Sequence, residues 1–232
     1  MDSFGLTAVE AEALRLSLWV SGWAVFASLP PGIFFAWLLA RRNFPGKSLV
    51  DGLIHLPLVL PPVVVGYALL VGFGRRGVIG AWLWESFHFT FAFNWKGAAL
   101  VSAVISFPLL VRAVRLSLES VDKGLELAAR TLGAGPFRVF FTITLPLVIP
   151  GVLTGSILAF ARSISEFGAT ITFVSNIPGE TRTLPIALYS LTQTPSGDEG
   201  ALRLCIISVV VAMIALLASE ILARKVARKM EG

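Results

Sequence analysis

The sequence predicts an all-α integral membrane protein, a bundle of about five transmembrane helices with one short helix displayed on the cytoplasmic face. Three observations carry this. Of 232 residues 56% are hydrophobic and 14% charged, and the mean hydropathy of +0.82 exceeds what a soluble globule can hide from water. Several charge-free runs match the roughly 20 apolar helical residues that a bilayer core of about 30 Å requires. Lysine and arginine collect on alternate loops, as the insertion rule for cytoplasmic segments demands.

The spans follow in order. Arg15 to Arg41 encloses 25 uncharged residues, Asp51 to Arg75 encloses 23, and Arg138 to Arg162 another 23. Two shorter runs extend past charges near their ends: 97–118 carries Arg112 and Arg115, and 204–223 carries Glu220. Long side chains there can reach the headgroups. The expected spans are therefore about 16–40, 52–74, 97–118, 139–162 and 204–223, within a single transmembrane domain over 1–232. The acidic start MDSFGLTAVEAEALR and the length of the first apolar run predict a retained first span rather than a cleaved leader. Between 167 and 203 two uncharged runs of 13 and 15 residues, rich in Pro, Gly, Asn, Ser and Thr, are too short to cross. They suit a short re-entrant or surface helix.

Orientation follows from the cations. The loop after the first span, the segment from Arg112 to Arg138, and the C-terminus (Arg224, Lys225, Arg228, Lys229) together hold twelve, against six on the other side: Arg15, Arg75, Arg76, Lys96, Arg182 and Arg203. The N-terminus is expected outside and the C-terminus in the cytoplasm. The net charge of +5 thus records insertion topology and gives no reason to expect a nucleic-acid partner.

Several function classes drop out. One cysteine, Cys205, excludes an intrachain disulfide framework and a Cys-rich metal site. His55 and His88 lie 33 positions apart without neighbours at metal-ligand spacing, so no metal is expected. GFGRRG (72–77) matches GxGxxG but ends a membrane span, where the preceding strand of a dinucleotide fingerprint has no place. FPGKS (44–48) resembles the end of a phosphate-binding loop, but Arg41 stands where its first glycine belongs. The chain has no ATPase site of its own.

Other features describe a path. Gly151 and Gly155 form a GxxxG pair, extended at the same spacing by Ala159, whose preferred reading is close packing inside the bundle rather than a dimer contact. Pro30 and Pro31, then Pro57, Pro61 and Pro62, Pro108, and Pro146 and Pro150 bend four of the five spans. Such bends are tolerated around neighbouring helices or a water-lined cavity. Arg162 and Glu166 are four apart and can pair along one helix face, either fixing helix depth or guiding substrate. No span has a lone charge at its midpoint, which argues against an ion-coupled transporter. Hydroxyls remain to line a conduit: Thr154, Ser156, Ser163, Ser165, Thr170 and Thr172. The candidate path residues are Pro61, Pro62, Ser163, Ser165, Glu166 and Thr170.

The segment 120–138 is the most informative. Asp122 can cap a short helix that contains Glu126, and Gly133 with Gly135 and Pro136 ends it. An amphipathic helix on the cytoplasmic face suits docking to a soluble partner. Here the sequence resembles the permease subunits of bacterial type I ABC importers, whose signature is EAA, three residues, Gly, nine residues, then Ile-x-Leu-Pro. Ala128, Ala129, Gly133, Ile143, Leu145 and Pro146 stand in register; Leu127 occupies the glutamate position, with Glu126 one place earlier. The resemblance implies a coupling helix that docks an ATPase through Glu126, Leu127, Ala128, Ala129, Arg130, Thr131, Leu132, Gly133, Ala134 and Gly135.

The likeness extends further. HLPLVLPPVVVGYALL (55–70), SFPLLVRAVRLSLESVD (106–122) and FARSISEFGATITFVSNIPGETRTLPIALY (160–189) look like the permeases of molybdate importers. That resemblance implies a homodimer in the inner membrane, two copies of a cytoplasmic ABC ATPase carrying ATP and Mg, a periplasmic molybdate-binding protein, and no cofactor on this chain. Sulfate permeases share part of the pattern, including Glu166 to Gly168, and tungstate is nearly molybdate's equal in size and charge; both stay open as cargo. A passive anion channel would need no docking helix, and a membrane anchor no bent, hydroxyl-lined spans.

Overall fold

The computed structural model describes residues 7–195 and 197–231, with side chains through 218 and at 221. The predicted roles of Glu220 and of the cations Arg224, Lys225, Arg228 and Lys229 lie outside the described side chains. All described secondary structure is helical.

The first helix, α1 (Ala8–Arg41), starts at a capping box: the Thr7 hydroxyl accepts from Glu10 N while Glu10 Oε2 accepts from Thr7 N at 2.8 Å. Its 34 residues reach about 51 Å, more than a bilayer core. Its buried stripe, Ala13, Ser17, Val20, Ser21, Ala24, Ser28, Gly32, Ala36 and Leu39, is made of small residues at three- and four-residue spacing. That stripe lets α5 (Trp95–Ser120) approach closely; a Cβ on Gly32 would come within 2.7 Å of Leu110.

Helix α5 is the hub, packed along α1 and along α8 (Leu145–Ile164). Gly151 and Gly155 of α8 face it: a Cβ on Gly151 would overlap the Ser117 side chain, and one on Gly155 would stand 3.1 Å from Ala113 Cβ. The small-residue pair therefore serves contact within the chain. Val111, Val114, Leu118, Val148 and Ala159 fill this seam.

The stretch 52–74, expected as one span, differs from a straight helix. It forms α2 (Lys47–Val59) and α3 (Pro62–Phe73), inclined by 116° across Leu60–Pro61. Pro61 and Pro62 donate no N–H, so the α2 ladder ends, and Pro62 opens α3 at a position where its fixed φ is favourable. Each arm, of 13 and 12 residues, covers only about 20 Å or less. Among the described residues four helices are individually long and apolar enough to cross a bilayer: Ala8–Arg41, Trp95–Ser120, Pro136–Ile164 and Asp198–Ala218; the bent pair would make five.

After α3, Gly74 to Gly77, the second part of GFGRRG, form a tight connection to α4 (Val78–Phe87), with Arg75 stacked over the Trp84 ring. Helix α6 (Lys123–Thr131) and the short α7 (Pro136–Val139) precede a π-turn at Phe140–Thr144 that runs into α8. Pro146 cannot donate back to Thr142, and Leu145 N bonds Phe140 O five residues earlier, the wide-turn register a proline favours. Between α8 and the last helix, α11 (Asp198–Glu231), lie α9 (Gly168–Val174) and α10 (Leu184–Thr192). Helix α9 is interior, with Ala169, Thr170, Phe173 and Val174 buried against α3 and α5. Helix α10 packs on α1 and α11, and the Leu184 amide donates to Ser17 Oγ at 2.7 Å.

Candidate coupling segment and translocation path

Helix α6 owes its limits to local chemistry. Asp122 Oδ1 accepts from Gly124 N at 2.8 Å at its start. At its end Gly133 adopts φ +84°, the left-handed conformation that closes a helix, while its amide bonds Arg130 O and the Ala134 amide bonds Ala129 O. Two faces result. Lys123, Glu126, Leu127 and Arg130 turn toward the end of α1. Leu125, Ala128 and Leu132, three and seven residues along, form an exposed apolar face; Leu132 is 88% exposed, and Phe137 just beyond is 81% exposed. Displayed apolar groups of this size mark a contact surface.

Glu126 does not join that exposed face. Its Oε1 accepts from Arg41 Nη2 of α1 and from Thr144 Oγ1 of the π-turn, both at 2.9 Å. The Arg41 and Glu126 side chains are 9% and 15% exposed, and Thr144 is buried. One carboxylate thus ties three elements: the end of α1, the displayed helix α6, and the approach to α8. Leu127, in the usual glutamate register, is 61% exposed. Sequence reasoning placed Glu126 among the docking residues and passed over Arg41 and Thr144. Nothing in their spacing signals the contact, because Arg41 and Glu126 are 85 positions apart.

The candidate path residues converge at the junction of α8 and α9. Glu166 Oε2 meets Arg162 Nη1 at 2.7 Å, and its Oε1 accepts from Ala169 N at 2.9 Å, so one carboxylate closes α8 and opens α9. The pair of Arg162 with Glu166 expected from the four-residue spacing is present. Gly168 lets the junction lie on the Pro61–Pro62 break; a Cβ there would be 3.2 Å from Pro62. Ser163 and Thr170 are buried, and neither hydroxyl oxygen has a partner among the described residues. Ser165 is exposed and donates to Arg162 O at 3.1 Å. Ser21 of α1 and Thr183 at the start of α10 also carry buried, unpartnered hydroxyls. Sequence reading missed these two; a hydroxyl stripe at Ser17, Ser21 and Ser28 was the available signal.

Helix α1 runs on through Pro30 and Pro31, α5 through Pro108 and α8 through Pro150, and the chain breaks a helix at Pro61–Pro62. Long apolar helices, that one broken pair, an interior junction bearing hydroxyls, and a helix displayed at one end together define a membrane permease. The chain belongs to the family of binding-protein-dependent transport system inner membrane components, whose model matches residues 32–228. Among its relatives, the molybdenum transport system permease protein ModB of Escherichia coli K12 is 68% identical over 94% of this chain and 96% of that protein. The protein of the same name from Haemophilus influenzae is 59% identical over 96% of this chain and 97% of its own length. In fold, the chain resembles a bacterial ABC transporter involved in import of the acidic polysaccharide alginate, with TM-score 0.75 and 19% identity over 95% of this chain and 80% of that one. This is the type I ABC importer permease fold.

Proposed function

We propose that the chain is the membrane subunit of an ATP-driven molybdate importer, acting as a homodimer with two copies of a cytoplasmic ABC ATPase and an external molybdate-binding protein. The observation that carries the reading is the division of α6 into an exposed apolar face and an opposite face clamped by Glu126 to Arg41 and Thr144. A helix so built receives force on one side and transmits it through the other.

In this reading the end bearing α6 is cytoplasmic and the N-terminus lies outside. The spans are about 16–40, 52–74 (bent), 97–118, 139–162 and 204–223, and residues 126–135 form the docking segment. ATP and Mg reside on the ATPase. Its closure moves α6, and the Glu126 clamp carries the movement to α1 and the start of α8, opening and closing the path at the α8–α9 junction in alternation. Pro61, Pro62, Ser163, Ser165, Glu166 and Thr170 border that path. In this reading the hydroxyls and the Arg162–Glu166 pair pass a dianion without gripping it, and selection falls to the external binding protein.

The reading is tested by reconstituting permease and ATPase in proteoliposomes with the binding protein and measuring uptake of molybdate, tungstate and sulfate with and without ATP. ATP-dependent molybdate uptake is expected. Uptake independent of the ATPase would instead identify a passive channel, and a preference for sulfate would reassign the cargo.

A further inference from the structure

Beside the docking face lies a feature that shares Arg41 and Glu126 with the clamp and adds cations the clamp does not engage. A pocket of about 290 Å³ opens between the last turn of α1 and the inward face of α6, lined from α1 by Trp37, Arg41 and Arg42 and from α6 by Lys123, Glu126 and Arg130. Four cations face one carboxylate, and Glu126 is already bonded to Arg41. Among the described residues Arg42, Lys123 and Arg130 pair with no carboxylate. Asp122, next to Lys123, is engaged in capping α6. Arg41, whose side chain is 9% exposed, keeps a buried Nε with no partner among the described residues. Arg42, Lys123 and Arg130 therefore line a cavity whose one carboxylate, Glu126, is already bonded to Arg41.

We propose that this pocket binds the phosphate of an anionic phospholipid of the cytoplasmic leaflet. The inference rests on the orientation given under Proposed function. Three features favour a lipid. Trp37 forms one wall, with Arg42 stacked over its ring at 5.5 Å, and tryptophan is the side chain that settles at the boundary of hydrocarbon and headgroups. Phe34, one turn toward the membrane, is 54% exposed and offers an acyl chain a track leading away from the pocket. Guanidinium groups take phosphate oxygens in pairs, and basic pockets beside spans on the cytoplasmic side attract anionic headgroups. Acidic side chains of the ATPase are the rival occupant. They fit less well because, although Arg130 belongs to the docking segment, its exposed apolar side, Ala128 and Leu132, lies on the face of α6 opposite Lys123 and Arg130.

The test uses the full permease–ATPase complex in nanodiscs of phosphatidylglycerol and phosphatidylcholine, followed by native mass spectrometry of retained lipid. The Arg42→Gln/Lys123→Gln double variant leaves the Arg41–Glu126 clamp intact and is expected to retain roughly tenfold less phosphatidylglycerol. Arg112→Gln, which removes an exposed cation outside the pocket, should retain it as the parent does. The proposal is overturned if the double variant retains the lipid, or if Arg112→Gln loses as much. It is equally overturned if the double variant keeps the lipid but sheds the ATPase, or if millimolar inorganic phosphate displaces the lipid. Molybdate uptake measured on the same preparation reports separately on the transport function.

Discussion

Arg41 at the end of α1 and Glu126 in the middle of α6 form an ion pair of 2.9 Å, 85 residues apart in sequence and largely shielded from water. The pair makes α6 a part of the bundle rather than a loose loop, since the same carboxylate also holds Thr144 at the approach to α8.

Removing either partner leaves the other charge poorly solvated, at a cost of roughly 3 kcal/mol or more. Arg41→Met and Glu126→Leu are each expected to lower the thermal midpoint of the complex and to abolish ATP-driven uptake. The double variant should regain part of the stability and little of the transport. A thermodynamic cycle over the four proteins checks this, and additive losses would show that the pair is uncoupled.

Gly133 sits at φ +84°, where a β-branched side chain is strained by about 1–2 kcal/mol. Gly133→Val should insert normally, co-purify with much less ATPase and lose transport, whereas Gly133→Asn should keep a substantial fraction. Pull-down of the ATPase from detergent extracts measures the difference.

Leu125 and Leu132, 49% and 88% exposed, present the apolar face of α6. Burial of one leucine contributes about 1.5–3 kcal/mol, so Leu132→Asp should weaken ATPase association at least tenfold without changing the stability of the permease alone. Unchanged association would remove this face from the docking surface.

The Thr170 hydroxyl is buried without a partner among the described residues, a state that costs about 1–3 kcal/mol. Thr170→Val is expected to raise the thermal midpoint while lowering molybdate uptake. Movement of the two quantities in opposite directions separates a path residue from a packing residue, because a packing role predicts that they change together.

Gly151 and Gly155 face Ser117 and Ala113 of the same chain. Gly151→Val should therefore reduce the yield of folded permease in membranes, and the protein that does fold should show the parent's ratio of dimer to monomer on cross-linking. A selective loss of dimer would place the pair at the subunit interface instead.

Much of this was legible in the sequence because the relevant physics acts within one span or one turn. Charge-free length set against bilayer thickness picks out α1, α5, α8 and α11. The Asp122 cap, the Gly133 stop and the Arg162–Glu166 pair lie within four residues of what they contact or terminate. The small-residue pattern at 151, 155 and 159 announced close packing, and its partner helix emerged from the fold. The break at Leu60–Pro61 was legible as a bend, but its 116° depends on α3 resting against α9 through Gly66 and on α2 lying against α5.

By itself, the sequence determined a helical membrane protein, its candidate spans, the caps of its displayed helix and its family, since hydropathy and capping need only neighbours along the chain. Tertiary structure alone decided that Glu126 turns inward to Arg41 and Thr144, that α9 is interior, and that Arg42, Lys123 and Arg130 line one pocket. Each of those outcomes depends on which distant side chains a group meets once water is excluded. A carboxylate in a short amphipathic helix suits solvent or a buried cation equally well until packing removes one of them.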